Sequence, residues 1–138
     1  MISKKCEYAL KAVLALSRQA GSKPMTIHQI ATAQDIPERF LEAILRDLKQ
    51  SGLTESIRGK DGGYKLTRSP AEITPGDVVR AVDGRWLQKE DLDEQDVFSS
   101  VWREADAALF GILDDIHFQS LLSQQDALTG SNIHNYTI

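Results

Sequence analysis

The sequence predicts a mainly α chain with one small β-hairpin and a long apolar helix in its second half. Three observations predict this. Apolar residues recur at spacings of three and four, the period of one helix face. Ser, Thr and Pro stand where helices would start, and Gly where they would stop. The stretch "SIRGKDGGYKLTR", residues 56–68, sets two short β-like runs on either side of Gly59, Asp61, Gly62 and Gly63, as a hairpin does.

Ser3 is placed to cap a first helix, Lys4 to about Ala20, ended by Gly21. Ile2, Cys6, Ala9, Val13, Leu16 and Ala20 form its apolar face. Thr26, with Gln29 three residues on, is a capping box for a second, short helix, Ile27 to Gln34. Pro37 suits the first turn of a third helix, and Glu38 complements its positive end. That helix runs to about Ser51, stops at Gly52, and turns Leu41, Ile44 or Leu45, and Leu48 inward. Ile30, Ala31, Ile36 and Leu45 are apolar or small where the second and third helices must pack. Two helices joined by so short a link make a helix-turn-helix unit.

Strands from Leu53 to Arg58 and from Tyr64 to Arg68 follow. Helix, helix, helix, hairpin is the order of a winged helix-turn-helix domain, here residues 1–84. Within it, Thr74-Pro75-Gly76-Asp77 starts a further helix, Pro75 to Val82, closed by Asp83-Gly84. A second segment, 85–126, opens with the acidic stretch "RWLQKEDLDEQD", which reads as a loop. From about Asp96 a long helix carries Val97, Val101, Ala105, Ala108, Ile112 and Ile116 on one face, with Phe98, Trp102, Leu109 and Leu113 beside them. That face is too apolar to leave in water. A homodimer interface through Val101, Ala105, Ala108, Ile112 and Ile116 is the expected burial, and packing on its own domain the alternative. A short helix, Phe118 to Gln125, precedes a polar tail, 127–138, expected to be mobile.

Composition bounds the function. The 138 residues are 41% apolar and 26% charged, ordinary for a soluble globular domain. No apolar run approaches the roughly 20 residues of a membrane span. The start, "MISKKCEYAL", lacks the apolar stretch of a signal peptide. A single cysteine allows no internal disulfide, which fits a reducing cytoplasm, and excludes four-cysteine zinc or all-cysteine iron–sulfur sites within one chain. No phosphate loop, nucleophile elbow or HExxH pair is present, and His28, His117 and His134 lie far apart. Neither an enzyme nor a cofactor or metal is expected.

The charge is unevenly spread. Residues 1–68 hold twelve Lys and Arg against seven Asp and Glu, a net +5; residues 69–138 hold four against thirteen, a net -9. A basic half joined to an acidic one suggests that one half attracts a polyanion. Double-stranded DNA is the expected partner. On the third helix Glu38, Arg39, Glu42 and Ala43, with Arg46 a turn further, are placed for the major groove. Arg39 can take guanine bidentately, and Glu42 or Glu38 can accept from cytosine. Thr26, His28 and Gln29, at the start of the second helix, can hold phosphates; His28 reads equally as a plain surface residue. Arg58 and Lys60 lie at the hairpin tip, where a minor groove or backbone would be. Lys4 and Lys5 are weaker phosphate candidates, and Tyr64 is expected to pack the wing onto the domain.

"EYALKAVLALS", "IATAQDIPERFLEAILRDLKQSGLTESIRGKDGGYKL" and "EITPGDVVRAVDG" resemble the Rrf-type family of dimeric winged helix-turn-helix regulators, which includes IscR, NsrR and CymR. The resemblance runs from Met1 to about Leu122, and the RGxxGGY wing is its most specific part. It implies a cytoplasmic, sequence-specific DNA-binding homodimer on a palindromic operator, with repression the expected mode and a regulatory protein or small-molecule effector unassigned. The cluster-binding members carry three cysteines in the loop before the long helix; here Trp86 to Asp96 contains none, so no cluster carries over. Two other readings stand beside this one. One is a winged-helix protein-interaction module. The other is a cysteine-based redox sensor, although Cys6 lies in an apolar stripe where cysteine behaves as a small apolar residue.

Overall fold

The computed structural model describes residues 2–84 and 93–136, with side chains as far as residue 130. The chain runs α1 (Lys4–Arg18), α2 (Ile27–Gln34), α3 (Glu38–Gln50), β1 (Thr54–Ile57), β2 (Gly63–Leu66), α4 (Pro75–Val82), α5 (Val97–Leu113) and α6 (Phe118–Tyr136). Most of the acidic loop expected after Gly84, residues 85–92, lies outside the described residues, as do residues 137–138.

The apolar stripe of α1 is buried at Cys6, Ala9, Val13 and Leu16. Its outer members, Ile2 and Ala20, are exposed because the helix stops short of both. The capping box of α2 forms as its sequence implies, with Gln29 N–H donating to Thr26 Oγ1 (3.2 Å) and Thr26 N–H to Gln29 Oε1 (3.0 Å). Asp35 then adopts the left-handed conformation (φ 53°), which aspartate tolerates better than most residues, and reverses the chain toward α3. Pro37 is not in the first turn of α3 but is its cap residue, one position earlier than expected. Its ring fixes φ, at -61°, while ψ of 130° is still extended.

Leu41, Ile44, Leu45 and Leu48 of α3 are each at most 1% exposed, so both candidates for the middle of its inward face are used. Burying each such side chain contributes about 1.5–3 kcal/mol. This row meets Ile30, Ala31 and Ile36 of the α2 region, the α1 stripe, and Phe118 from the start of α6.

The hairpin pairs Thr54 with Leu66 through to Ile57 with Gly63. Its strands are shorter than expected, leaving Leu53, Arg58, Thr67 and Arg68 outside them. A third segment joins it: Met25 and Tyr64 exchange backbone hydrogen bonds of 2.9 and 2.7 Å. Gly63 is required at that junction, since a Cβ there would lie 2.4 Å from the Met25 carbonyl oxygen. Its φ of 150° is also one that only glycine adopts readily.

The second half departs further from expectation. Asp96 caps α5, accepting from Phe98 N–H at 3.0 Å, but the helix ends at Leu113. Ile116, expected on its apolar face, therefore lies beyond the helix and is half-buried. Asp114 and Asp115 are poorly placed to extend a helix whose C-terminal end is already negative. In contrast, α6 does not stop at Gln125 but continues to Tyr136 through much of the segment read as a tail. Residues 125–129 contain no proline, and Ala127 and Leu128 favour helix, so the lone Gly130 does not break it. Its start is anchored by Phe118 N–H to the Ile73 carbonyl (3.0 Å) and Gln119 N–H to the Pro70 carbonyl (3.2 Å).

Candidate nucleic-acid interface

The outer face of α3 presents Glu38, Arg39, Glu42 and Arg46 to solvent, with Ala43 half-buried between them. They face outward because the inward positions of the same helix are filled by leucine and isoleucine. His28 of α2 reaches across the helix turn to Glu38, with Nδ1 and Oε1 3.1 Å apart. Both are exposed, so this pair is a weak surface contact that leaves either side chain able to exchange for another partner.

The wing turn sits against the start of α2. A Cβ on Gly63 would approach the Thr26 amide nitrogen at 3.0 Å, so the two backbones nearly touch. On the facing strand, next to the Ile57–Gly63 pair, Lys49 Nζ donates to Ser56 Oγ (2.9 Å), tying the end of α3 to β1. The predicted residues thus form a connected surface: wing turn, Thr26, His28, Glu38, then α3. The capping box uses Thr26 Oγ1 and Gln29 Oε1 as acceptors and the Thr26 and Gln29 backbone N–H groups as donors, which leaves the Thr26 hydroxyl hydrogen and the Gln29 amide NH2 able to donate to an anion.

Among the described residues, Arg46, Arg58 and Lys60 on this surface are exposed cations with no ion pair, as are Arg39 and Lys49 and, elsewhere, Lys11 and Arg103; Glu42 is likewise unpaired. The remaining wing charges lie in exposed pairs, Lys65 beside Glu55 (3.4 Å) and Asp61 beside Lys23 (3.9 Å). Lys5 is removed from the candidate phosphate contacts. Its ammonium is part-buried against Asp47 at 2.6 Å and bolts α1 to α3. Lys4 remains exposed beside Glu7.

Sequence reasoning missed an aromatic platform. The Phe40 and Tyr8 rings lie 5.3 Å apart, with the Arg39 guanidinium 5.0 Å from the Phe40 ring and Lys4 Nζ 5.8 Å from the Tyr8 ring. Aromatic residues at 8 and 40 are visible in the sequence, but nothing local says that α1 and α3 bring them together. The stack holds Arg39 in a preferred direction at the edge of α3, at a strength of about 0.5–1 kcal/mol for an exposed cation over a ring.

Cys6 is fully buried with Val79 of α4 and Phe110 of α5. Burial, then the Asp83 carboxylate, pushes its thiol up to about 12. A thiolate is therefore strongly disfavoured at neutral pH.

A helix-turn-helix with a basic, glycine-turned wing braced against it defines a winged-helix DNA-binding regulator. The chain matches the family model described as "Rrf2: Iron-dependent Transcriptional regulator" over residues 2–124, and it belongs to that family of transcriptional regulators. It is 45% identical over 87 residues to a putative HTH-type regulator, rrf2-like, of Rhodobacter capsulatus, a match spanning 61% of this chain and 58% of that one. It is 33% identical over 126 residues to the HTH-type transcriptional regulator CymR of Bacillus subtilis, 91% of each chain. The solved structure of IscR from T. potens superposes with a TM-score of 0.77 at 30% identity, covering 91% of this chain and 88% of that one. No helix of the described residues is long and apolar enough to cross a membrane.

Among the described residues, the iron of the family description finds no fitting donor set. The chain has one cysteine, buried and held as a thiol, and no three His, Cys, Asp or Glu side chains among the described residues converge on a metal position.

Proposed function

We propose that this protein is a cytoplasmic, homodimeric repressor that reads a palindromic operator. The observation that carries the reading is that, among the described residues, exposed cations with no ion pair, Arg39, Arg46, Arg58 and Lys60, share a surface with the outward row of α3. In an acidic protein, cations left without carboxylate partners are available to DNA phosphates, and their arrangement on α3 and the wing fits a duplex with α3 in the major groove. Arg39, Glu42 and Glu38 would read base edges there. Thr26, His28 and Gln29 would lie at the backbone, and Arg58 and Lys60 at the adjacent groove.

The dimer reading rests on α5. Val97 is 72% exposed, Ile112 63%, Phe98 59% and Trp102 52%, while Val101, Ala105 and Ala108 between them are also exposed. Among the described residues only Ser99 and Phe110 of the helix are buried, which supports a second copy over its own domain as the cover. A second copy would cover it and set two α3 helices one DNA turn apart. Repression by occupancy is the simplest mode for such a module. The test is selection of bound duplexes from a random pool, followed by a salt titration. A palindromic site bound far more tightly than random DNA supports the reading; equal affinity for all sequences favours a protein-interaction module instead.

A further inference from the structure

A cleft of about 790 Å³ opens between the C-terminal turn of α1, strand β2 and the start of α6. That volume suits a metabolite-sized ligand. Four cationic residues line it, Arg18, Lys23, Lys65 and Arg68, together with Ser22 and with Thr67, whose hydroxyl donates to the Gly52 carbonyl (2.5 Å). No aspartate or glutamate is among its lining residues, in a protein whose net charge is -4. At the C-terminal end of α1 the Leu16 carbonyl accepts from Gln19 N–H and the Ser17 carbonyl from Ala20 N–H.

We propose that this cleft is a binding site for a small organic polyanion carrying two or more carboxylate or phosphate groups. Each cation has a carboxylate neighbour: Asp126 for Arg18 (2.9 Å), Asp61 for Lys23 (3.9 Å), Glu55 for Lys65 (3.4 Å) and Asp77 for Arg68 (3.7 Å). None of these acids lines the cleft. All four cations are exposed, and such pairs are weak enough to exchange for a multivalent ligand that meets several cations at once. A DNA duplex is the wrong shape for a concavity closed on one side by α6, whereas a small anion fits it. The site is tied to the wing by Lys65 and Thr67 and to the start of α2 through the Tyr64–Met25 bridge. An anion bound there would brace or shift the wing. That consequence alone rests on the DNA-binding reading; the binding itself is measured on the free protein.

The test is two-dimensional NMR of the labelled full chain, titrated separately with citrate and with pyrophosphate against sodium chloride of equal ionic strength. Saturable shifts confined to residues 17–23 and 65–69 with either probe support the site, and the stronger probe tells carboxylate from phosphate chemistry. Arg18→Gln/Arg68→Gln should weaken that binding by roughly tenfold or more, the loss expected for removed charge-assisted hydrogen bonds. Lys65→Gln, an exposed change that leaves the fold intact, should weaken it by a smaller factor. Shifts centred on residues 39–46 and 58–62 would place anions on the DNA face and overturn the proposal. Identical titrations in wild type and variants, or none beyond the chloride control, would overturn it equally.

Discussion

Arg80 on α4 holds Asp114 at the end of α5 through two parallel hydrogen bonds, Nη1 to Oδ1 at 2.8 Å and Nη2 to Oδ2 at 2.5 Å. The same guanidinium lies 4.5 Å from the Phe110 ring. This fork is the polar joint between the DNA-binding domain and the helix proposed to form the dimer. Gly76 makes room for it, because a Cβ there would fall 1.8 Å from Asp114 Oδ1. A sign change follows. Gly76→Ala should destabilise the wild type, since the carboxylate must move and the fork breaks. In an Asp114→Ala background the same substitution should be neutral or stabilising by up to about 1 kcal/mol, the ordinary helix gain of alanine over glycine. Thermal melts of the four proteins in this double-mutant cycle measure it; additive effects would show that the fork does not depend on Gly76.

The fork also sets an acid response. The hydrogen bonds from Arg80 hold the Asp114 carboxyl below its ordinary range and raise the guanidinium. A lowered folded-state value means stability that is fully present above the usual aspartate range and lost as pH falls through the folded value. The pair is exposed, so the effect is roughly 0.2–1 kcal/mol. Wild type should lose more stability than Asp114→Asn between neutral pH and about pH 3, as the unfolded aspartate titrates near 3.9. Parallel melting curves across that range would rule the effect out.

Cys6 should behave as a packing residue. Its raised thiol value means that the unfolded chain ionises first, so stability falls as pH rises beyond the ordinary thiol range. At neutral pH the native protein should react with a thiol reagent only at its unfolding rate. Cys6→Ala should cost on the order of 1 kcal/mol, a small buried group removed. Operator binding should be the same with and without diamide. Loss on oxidation that Cys6→Ala abolishes would reverse this and make the protein a thiol sensor.

At the wing, Arg58→Ala should weaken operator binding by about 1–3 kcal/mol. Lys65→Ala should do much less, because Lys65 sits on the strand beside Glu55 rather than at the turn. Fluorescence anisotropy at fixed salt compares them. Small, equal losses would take the wing off the DNA.

Ile112→Glu or Ala105→Glu should convert the dimer to monomer at micromolar concentration while leaving the fold in place, since both positions are already in water in the single chain. Light scattering with circular dichroism reads both. Operator affinity should fall with the lost second half-site. Unchanged mass in both variants would move the interface elsewhere.

The sequence by itself determined the local elements and their order. Caps at Ser3, Thr26 and Thr74, the α3 stripe and the glycine turn act within a few residues, so their spacing is legible in one dimension. It also determined which residues of α3 face outward, since a helix period leaves one face once the other is apolar. Only the tertiary structure decided which charges are free. Lys5 looked like a phosphate contact until α3 brought Asp47 to it, and Arg80 gave no sign of Asp114, thirty-four residues away. The Tyr8–Phe40 platform, the Met25–Tyr64 bridge and the basic cleft between α1, β2 and α6 are likewise products of long-range packing. The end of α5 at Leu113 also involves a distant partner, Arg80 on Asp114, whereas the run of α6 past Gln125 follows from local propensity, with no proline and only the lone Gly130 to interrupt it. Propensity acts on neighbours in sequence, while ion pairs and clefts are made between residues that only the folded chain makes neighbours.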